Sequence, residues 1–199
     1  MAKIFSVICL LITMGSFAQS TKQNTVPQEL LTDDSLYWTI STLSSVNYVN
    51  TTPGYNYGTT TSGGGMLVQF KFLPNNRFRF QLYVQANSYG TRSEAWTEVE
   101  GKVTFTKDAK NQDIFITSAE KGIYRTYRNG TSAQRPIPEA ELKGQHSCTF
   151  LWQKTSFKDD PNNIYLLTVD MEEHPDADVN NPKTINPSWV SKFQIPAKK

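Results

Sequence analysis

Two runs of alternating side chains constrain this chain more than any other feature. Met66, Val68, Phe70 and Phe72 recur at every second position, with Leu67, Gln69 and Lys71 between them. After Pro74-Asn75-Asn76, the residues Phe78, Phe80, Leu82, Val84 and Ala86 recur in the same way against Arg77, Arg79, Gln81 and Gln85. Successive side chains of a strand point to opposite faces, so each run has one apolar face and one more polar face. The Pro-Asn break has the composition and length of a tight connection, and Gly65 to Ala86 is expected to form an antiparallel hairpin.

Six further segments carry strand signals. Tyr37 to Tyr48 has Trp38, Ile40 and Thr42 on one side, and Ala95 to Thr106 has Val99, Val103 and Phe105 in phase around Gly101. Asp113 to Ser118 and Gly122 to Arg128 are expected to form a second hairpin across Ala119-Glu120-Lys121, before the turn signal Asn129-Gly130. His146 to Lys154 and Asn163 to Val169 complete the set. No long amphipathic helical run intervenes, and parallel folds need long crossovers, so the fold class is all-β and antiparallel. Eight strands suit either a closed barrel or a two-sheet β-sandwich, and alternation alone is compatible with both.

The ends read differently. Lys3 precedes an uncharged stretch from Ile4 to Met14, and Ser16 and Ala18 provide the small residues of a cleavage site, so residues 1–18 read as a signal peptide. The apolar run is far shorter than the roughly 20 residues that cross a bilayer as a helix, and no later stretch approaches that length. Residues 19–34 form a polar leader, 35–170 the β domain, and 171–199 an extension whose Trp189, Val190 and Phe193 are expected to pack back on the domain. Without Lys3, nineteen basic residues face eighteen acidic ones, and the basic residues are scattered. Such a chain has no basic stripe for nucleic acid. With Cys9 in the signal, Cys148 is left without an intrachain partner, so the core must hold the fold.

No chemistry-bearing constellation emerges. His146 and His174 are too far apart and too few for a zinc cluster. Asp176, Asp178 and Asn180 imitate the start of a calcium loop, but Asn181 and Pro187 stand where Gly and Glu are required. Glu98 and Glu100 lie on the same side of one strand, about 6.6 Å apart along it, whereas an acid/base pair must flank a substrate from opposite sides. The Thr61-Ser62-Gly63-Gly64-Gly65 run is neither a nucleophile elbow nor a phosphate loop. Neither a catalytic residue nor a cofactor or metal is assigned. Trp38, Tyr48, Tyr55, Tyr57, Tyr83, Tyr124, Tyr127 and Trp152 are the candidate ligand-facing or pocket-rim residues, because exposed rings suit sugars or apolar ligands.

Over roughly Asp34 to Asp170 the chain resembles the calycin-type, lipocalin-like secreted proteins of Bacteroidota. The likeness rests on the Phe17-Ala18-Gln19 end of the signal, on Trp38 in the first strand, and on the stretch Trp96 to Phe105. It implies an eight-stranded lipocalin-like barrel that holds a small apolar molecule, with Trp38 closing one end. The leading expectation is therefore a secreted or periplasmic, non-enzymatic binding protein for such a ligand. The alternative is a β-sandwich module that binds a surface glycan or an envelope protein through tyrosines and the loop 51–64. N-terminal sequencing of the exported protein is expected to begin at Gln19; a chain still starting at Met1 would remove the signal-peptide reading.

Overall fold

The computed structural model describes residues 25–48, 60–88 and 91–197. Ten strands follow in order: β1 (Trp38–Ser41), β2 (Ser44–Tyr48), β3 (Thr60–Leu73), β4 (Arg77–Ser88), β5 (Thr91–Lys107), β6 (Asp113–Arg128), β7 (Thr131–Pro136), β8 (Thr149–Phe157), β9 (Asp160–Asp170) and β10 (Ser191–Pro196). Among the described residues one short α-helix, α1 (Glu139–Gln145), lies between β7 and β8. The strands form one sheet in the order β1-β10-β9-β8-β6-β5-β4-β3-β2, with β7 as a side branch on β6.

This topology corrects both expected architectures. A two-sheet sandwich is excluded because every strand belongs to the same sheet. The eight-stranded, lipocalin-like barrel is corrected as well. The sheet curls until β1 touches both β3 and β10, but the β1–β10 seam is the single residue pair Thr39↔Gln194, not a ladder that closes a barrel. The four residues of β1 all pair with the long strand β3, and one of them also meets the six-residue β10.

Period-two alternation decides which face turns inward. Phe70, Phe72, Phe78, Val99, Val103, Phe105 and Phe115 are all buried on the concave face. The β3–β4 connection turns through Asn76 at φ 58°, a backbone that asparagine tolerates. The expected second hairpin does not form. Residues 113–128 are one continuous strand, and the pairing steps from Glu100↔Lys121 to Gly101↔Ala119, leaving Glu120 as a β-bulge. The turn falls instead at Asn129-Gly130, both at positive φ, which joins β6 to β7 as a two-residue hairpin.

The segment before β1 straps the sheet from one end. Val26 and Leu30 enter the core, the Trp38 Nε1 donates to the Leu30 carbonyl at 3.0 Å, and Leu31 bridges to Phe72. Lys71 is buried on the other face of β3, and its ammonium donates to the carbonyls of Asp33 (2.8 Å), Asp34 (2.6 Å) and Leu36 (3.4 Å). A buried charge persists only when hydrogen bonds replace its water, and these carbonyls do so. At the far end, β10 pairs with β9 from Ser191 to Pro196. Residues of 171–190 cover the convex face over Ile114, Leu151 and Val169, with His174 stacked on Trp189 at 4.2 Å. Gln112 clamps this segment, accepting from the Val179 amide at 2.7 Å and donating to Asp108 at 2.8 Å. Among the described residues, no helix is long and apolar enough to cross a membrane.

Gly101 sits opposite the bulge because nothing larger fits there. A Cβ at this position would lie 2.1 Å from the Ser118 carbonyl oxygen and 2.8 Å from the Ala119 Cα, both backbone atoms. Gly101→Ala is therefore expected to cost about 1–3 kcal/mol by overpacking. Urea denaturation should show a lower midpoint at unchanged slope; an unaltered midpoint would mean that the bulge adapts freely.

Candidate functional site

Side chains that face solvent on a strand line up across neighbouring strands according to register. Tyr83 on β4 pairs with Trp96 on β5, Trp96 with Arg125 on β6, and Arg125 with Gln134 on β7. The adjoining row is Gln85, Glu94, Tyr127 and Ser132. Two cross-strand rows thus bring aromatic, guanidinium, carboxylate and amide groups together on the convex face. They border an open groove of about 710 Å³, walled on one side by β7.

The geometry within the rows is ordered. The rings of Tyr83 and Trp96 have centroids 4.9 Å apart and are tilted by 34°, and the Tyr83 hydroxyl donates to Gln85 Oε1 at 2.8 Å. Glu94 lies buried beneath Arg92 and forms an ion pair with its Nε. Hydrogen bonding to Tyr83, followed by the charge of Glu94, raises the Arg92 guanidinium above its ordinary pKa. Arg125 Nη1 contacts Glu98 at 2.7 Å. Each arginine is thereby anchored by a carboxylate on β5.

Beyond the groove, the convex face of β4, β5 and β6 is a lattice of cross-strand ion pairs. Glu100 receives Arg79 at 3.0 Å and Lys121 at 3.0 Å, and Glu120 receives Arg77 at 2.7 Å and Lys102 at 3.1 Å. The Lys121 hydrogen bond is the main reason the Glu100 carboxyl sits below its usual range, and the Arg77 bond does the same for Glu120. Glu98 and Glu100 are thus occupied by cations rather than facing each other across a cleft.

The remaining candidates divide between core and cavity. Trp38 is fully buried and belongs to the core rather than to a rim. Trp152 packs edge-on against Phe105 at 5.8 Å, and its buried Nε1 has no hydrogen-bond partner. Tyr124 faces the concave side, with its hydroxyl 3.3 Å from His146 Nε2 and the Arg135 guanidinium 4.5 Å above its ring. Of the proposed tyrosines whose side chains are described, Tyr83 and Tyr127 join the convex rows. The Tyr48 side chain, Tyr55, Tyr57 and most of the loop 51–64 lie outside the described residues.

The concave face leaves an apolar hollow of about 270 Å³, floored by Phe70, Phe78, Phe115 and Phe150 with His146 and Cys148 at one side. Ligand pockets usually measure roughly 300–1,000 Å³. The expected small apolar ligand enclosed in a barrel is therefore corrected: the sheet is not a closed barrel, and its interior is largely filled by phenyl rings. Cys148 borders this hollow, and burial, reinforced by Asp170, Glu172 and Glu173, pushes its thiol pKa up to about 11. Asp178 is engaged within its own loop, accepting from the Asn180 amide at 2.9 Å. Among the described residues, no group of three or more His, Cys, Asp or Glu side chains could hold a metal ion.

Arg92, Glu94, Trp96, Arg125 and Gln134 were not among the residues expected from sequence. A signal for Trp96 was nonetheless present. It shares parity with Glu94, Glu98 and Glu100, so it is an aromatic on the polar face of an amphipathic strand, as Tyr83 is among Arg79, Gln81 and Gln85. No family model, curated protein or solved structure matches the chain. The resemblance to lipocalin-like proteins is corrected by this result together with the sheet topology.

His146 supplies a pH test of the concave side. Burial lowers its pKa below 6.5, outweighing the opposing charge of Glu141, while Tyr124 and Arg135 pack on the same cluster. A histidine with a depressed folded pKa binds fewer protons folded than unfolded. Its contribution is complete above 6.5 and is lost as pH falls from there toward the folded value. His146→Gln is expected to flatten the loss of stability between pH 7.5 and 5.5 in urea titrations. An equal slope in both proteins would place the pH dependence elsewhere.

Proposed function

We propose that this chain is an exported β-sheet module that binds a surface glycan along the groove of β5, β6 and β7. The observation that carries this reading is the tilted Tyr83–Trp96 ring pair, displayed on an otherwise polar face and continuous with Arg125 and Gln134. Sugars present an apolar C–H face and a rim of hydroxyls. An aromatic surface covers the first, and fixed planar donors and acceptors satisfy the second. The groups here are held by register and by ion pairs, so little side-chain freedom is lost on binding.

A protein partner is the weaker reading of the same groove. Stable protein interfaces have a desolvated core depleted in charge, whereas this groove is lined by Arg92, Glu94 and Arg125. Export is part of the proposal and rests on the signal-like residues 1–18.

Screening the mature protein against an array of microbial, plant and animal glycans is expected to identify a bound class. Trp96→Ala should weaken that binding about tenfold, equivalent to about 1.4 kcal/mol, with an unchanged circular dichroism spectrum. Silence across the array, or full binding by a folded Trp96→Ala protein, would overturn the assignment to this groove.

A further inference from the structure

We infer that the groove selects glycans bearing a carboxylate, namely uronic-acid units, an inference that rests on the glycan reading above. Its lining contains two arginines and one carboxylate, and the balance reaching the surface is more positive than that count. The Glu94 side chain is 7% exposed, whereas that of Arg92, which covers it, is 57% exposed. Arg125 is likewise more exposed than its partner Glu98, at 43% against 33%. A ligand entering the groove therefore meets guanidinium before carboxylate.

The way the arginines are anchored sharpens the point. Glu94 engages Arg92 through Nε, and Glu98 engages Arg125 through Nη1. A guanidinium has five N–H donors in a planar fork, so the ion pairs, with the added Tyr83 contact of Arg92, still leave donors on each arginine for another acceptor. Carboxylate is the planar acceptor that matches such a fork with two parallel hydrogen bonds. Trp96 shares the groove lining with both arginines, as the register partner of Arg125 and four residues along β5 from Arg92, so a sugar chain stacked on it would bring carboxylates toward both. Neutral hydroxyls would use the same donors one at a time and gain less.

Isothermal titration of the mature protein with tetragalacturonate and with its carboxyl-reduced, neutral counterpart tests this. The acidic tetrasaccharide is expected to bind about tenfold more tightly, and Arg92→Gln should narrow the ratio to about threefold or less. Tetraglutamate, which carries carboxylates without a sugar ring, is expected to bind more weakly than tetragalacturonate. Equal binding of the two tetrasaccharides would overturn carboxylate selection while leaving glycan binding in place. Tetraglutamate binding as tightly as tetragalacturonate would overturn it too, since charge alone would suffice. If neither tetrasaccharide binds while the array identifies a neutral glycan, the uronate inference alone falls. Silence across the whole array removes the glycan reading beneath it.

Discussion

Phe70 touches five other phenyl rings, those of Phe72, Phe78, Phe80, Phe115 and Phe193, at centroid separations from 4.8 to 6.4 Å. These rings come from β3 and its neighbour β4, and from β6 and β10, which lie progressively further away in the sheet order. Burying one phenylalanine contributes about 1.5–3 kcal/mol, and dispersion adds only where surfaces meet closely. The sheet can satisfy Phe70 only by bending until β10 approaches β3. Curling therefore follows from a wall of rings on one face, and the N-terminal strap and Lys71 secure the end it leaves. The same rings leave the interior little room for cargo.

The convex face answers to a different constraint. Its side chains are spaced by register and exposed to water, and most of its charges find opposite charges on the next strand. Individual pairs of this kind contribute little to stability, roughly 0–1 kcal/mol at the surface. Their effect here is positional. They hold long side chains in defined places and leave Trp96 and Tyr83 as an aromatic interruption in a charged field. Fold and candidate site thus occupy opposite faces of the same strands.

How much of this was legible follows from what alternation encodes. The β3–β4 hairpin could be read because each run has a clear parity and a Pro-Asn break. The 119–121 segment was misread as a turn because a bulge and a turn both interrupt parity, and only the pairing partner on β5 tells them apart. β7 was missed because its six residues are all exposed and carry no apolar period. Barrel and sandwich were both natural expectations, since alternation says which side is apolar but not which strands become neighbours. The groove was hidden for the same reason. Tyr83, Trp96, Arg125 and Gln134 span more than fifty positions in the chain, and only cross-strand register makes them one row. Tyr83 and Tyr127 could be named beforehand as aromatics, and the parity of Tyr83 and Trp96 was the further clue.

The unpaired Glu120 has a reach well beyond its own position. Upstream of it, the odd-numbered residues Phe115, Thr117 and Ala119 turn inward; downstream, Gly122, Tyr124 and Thr126 occupy the positions opposite the inward residues of β5. Glu120 and Lys121 both reach the convex ion pairs, so one additional residue shifts the numerical parity of β6 while each of its faces continues across the bulge. Had β6 run without it, Lys121 would follow Ala119 directly, the ladder to β5 would continue, and Arg125 and Tyr127 would still stand on the convex face. The bulge thus buffers the groove against a one-codon change at this point: losing Glu120 would spare the register of Arg125 and Tyr127 and remove only the carboxylate that Arg77 and Lys102 share.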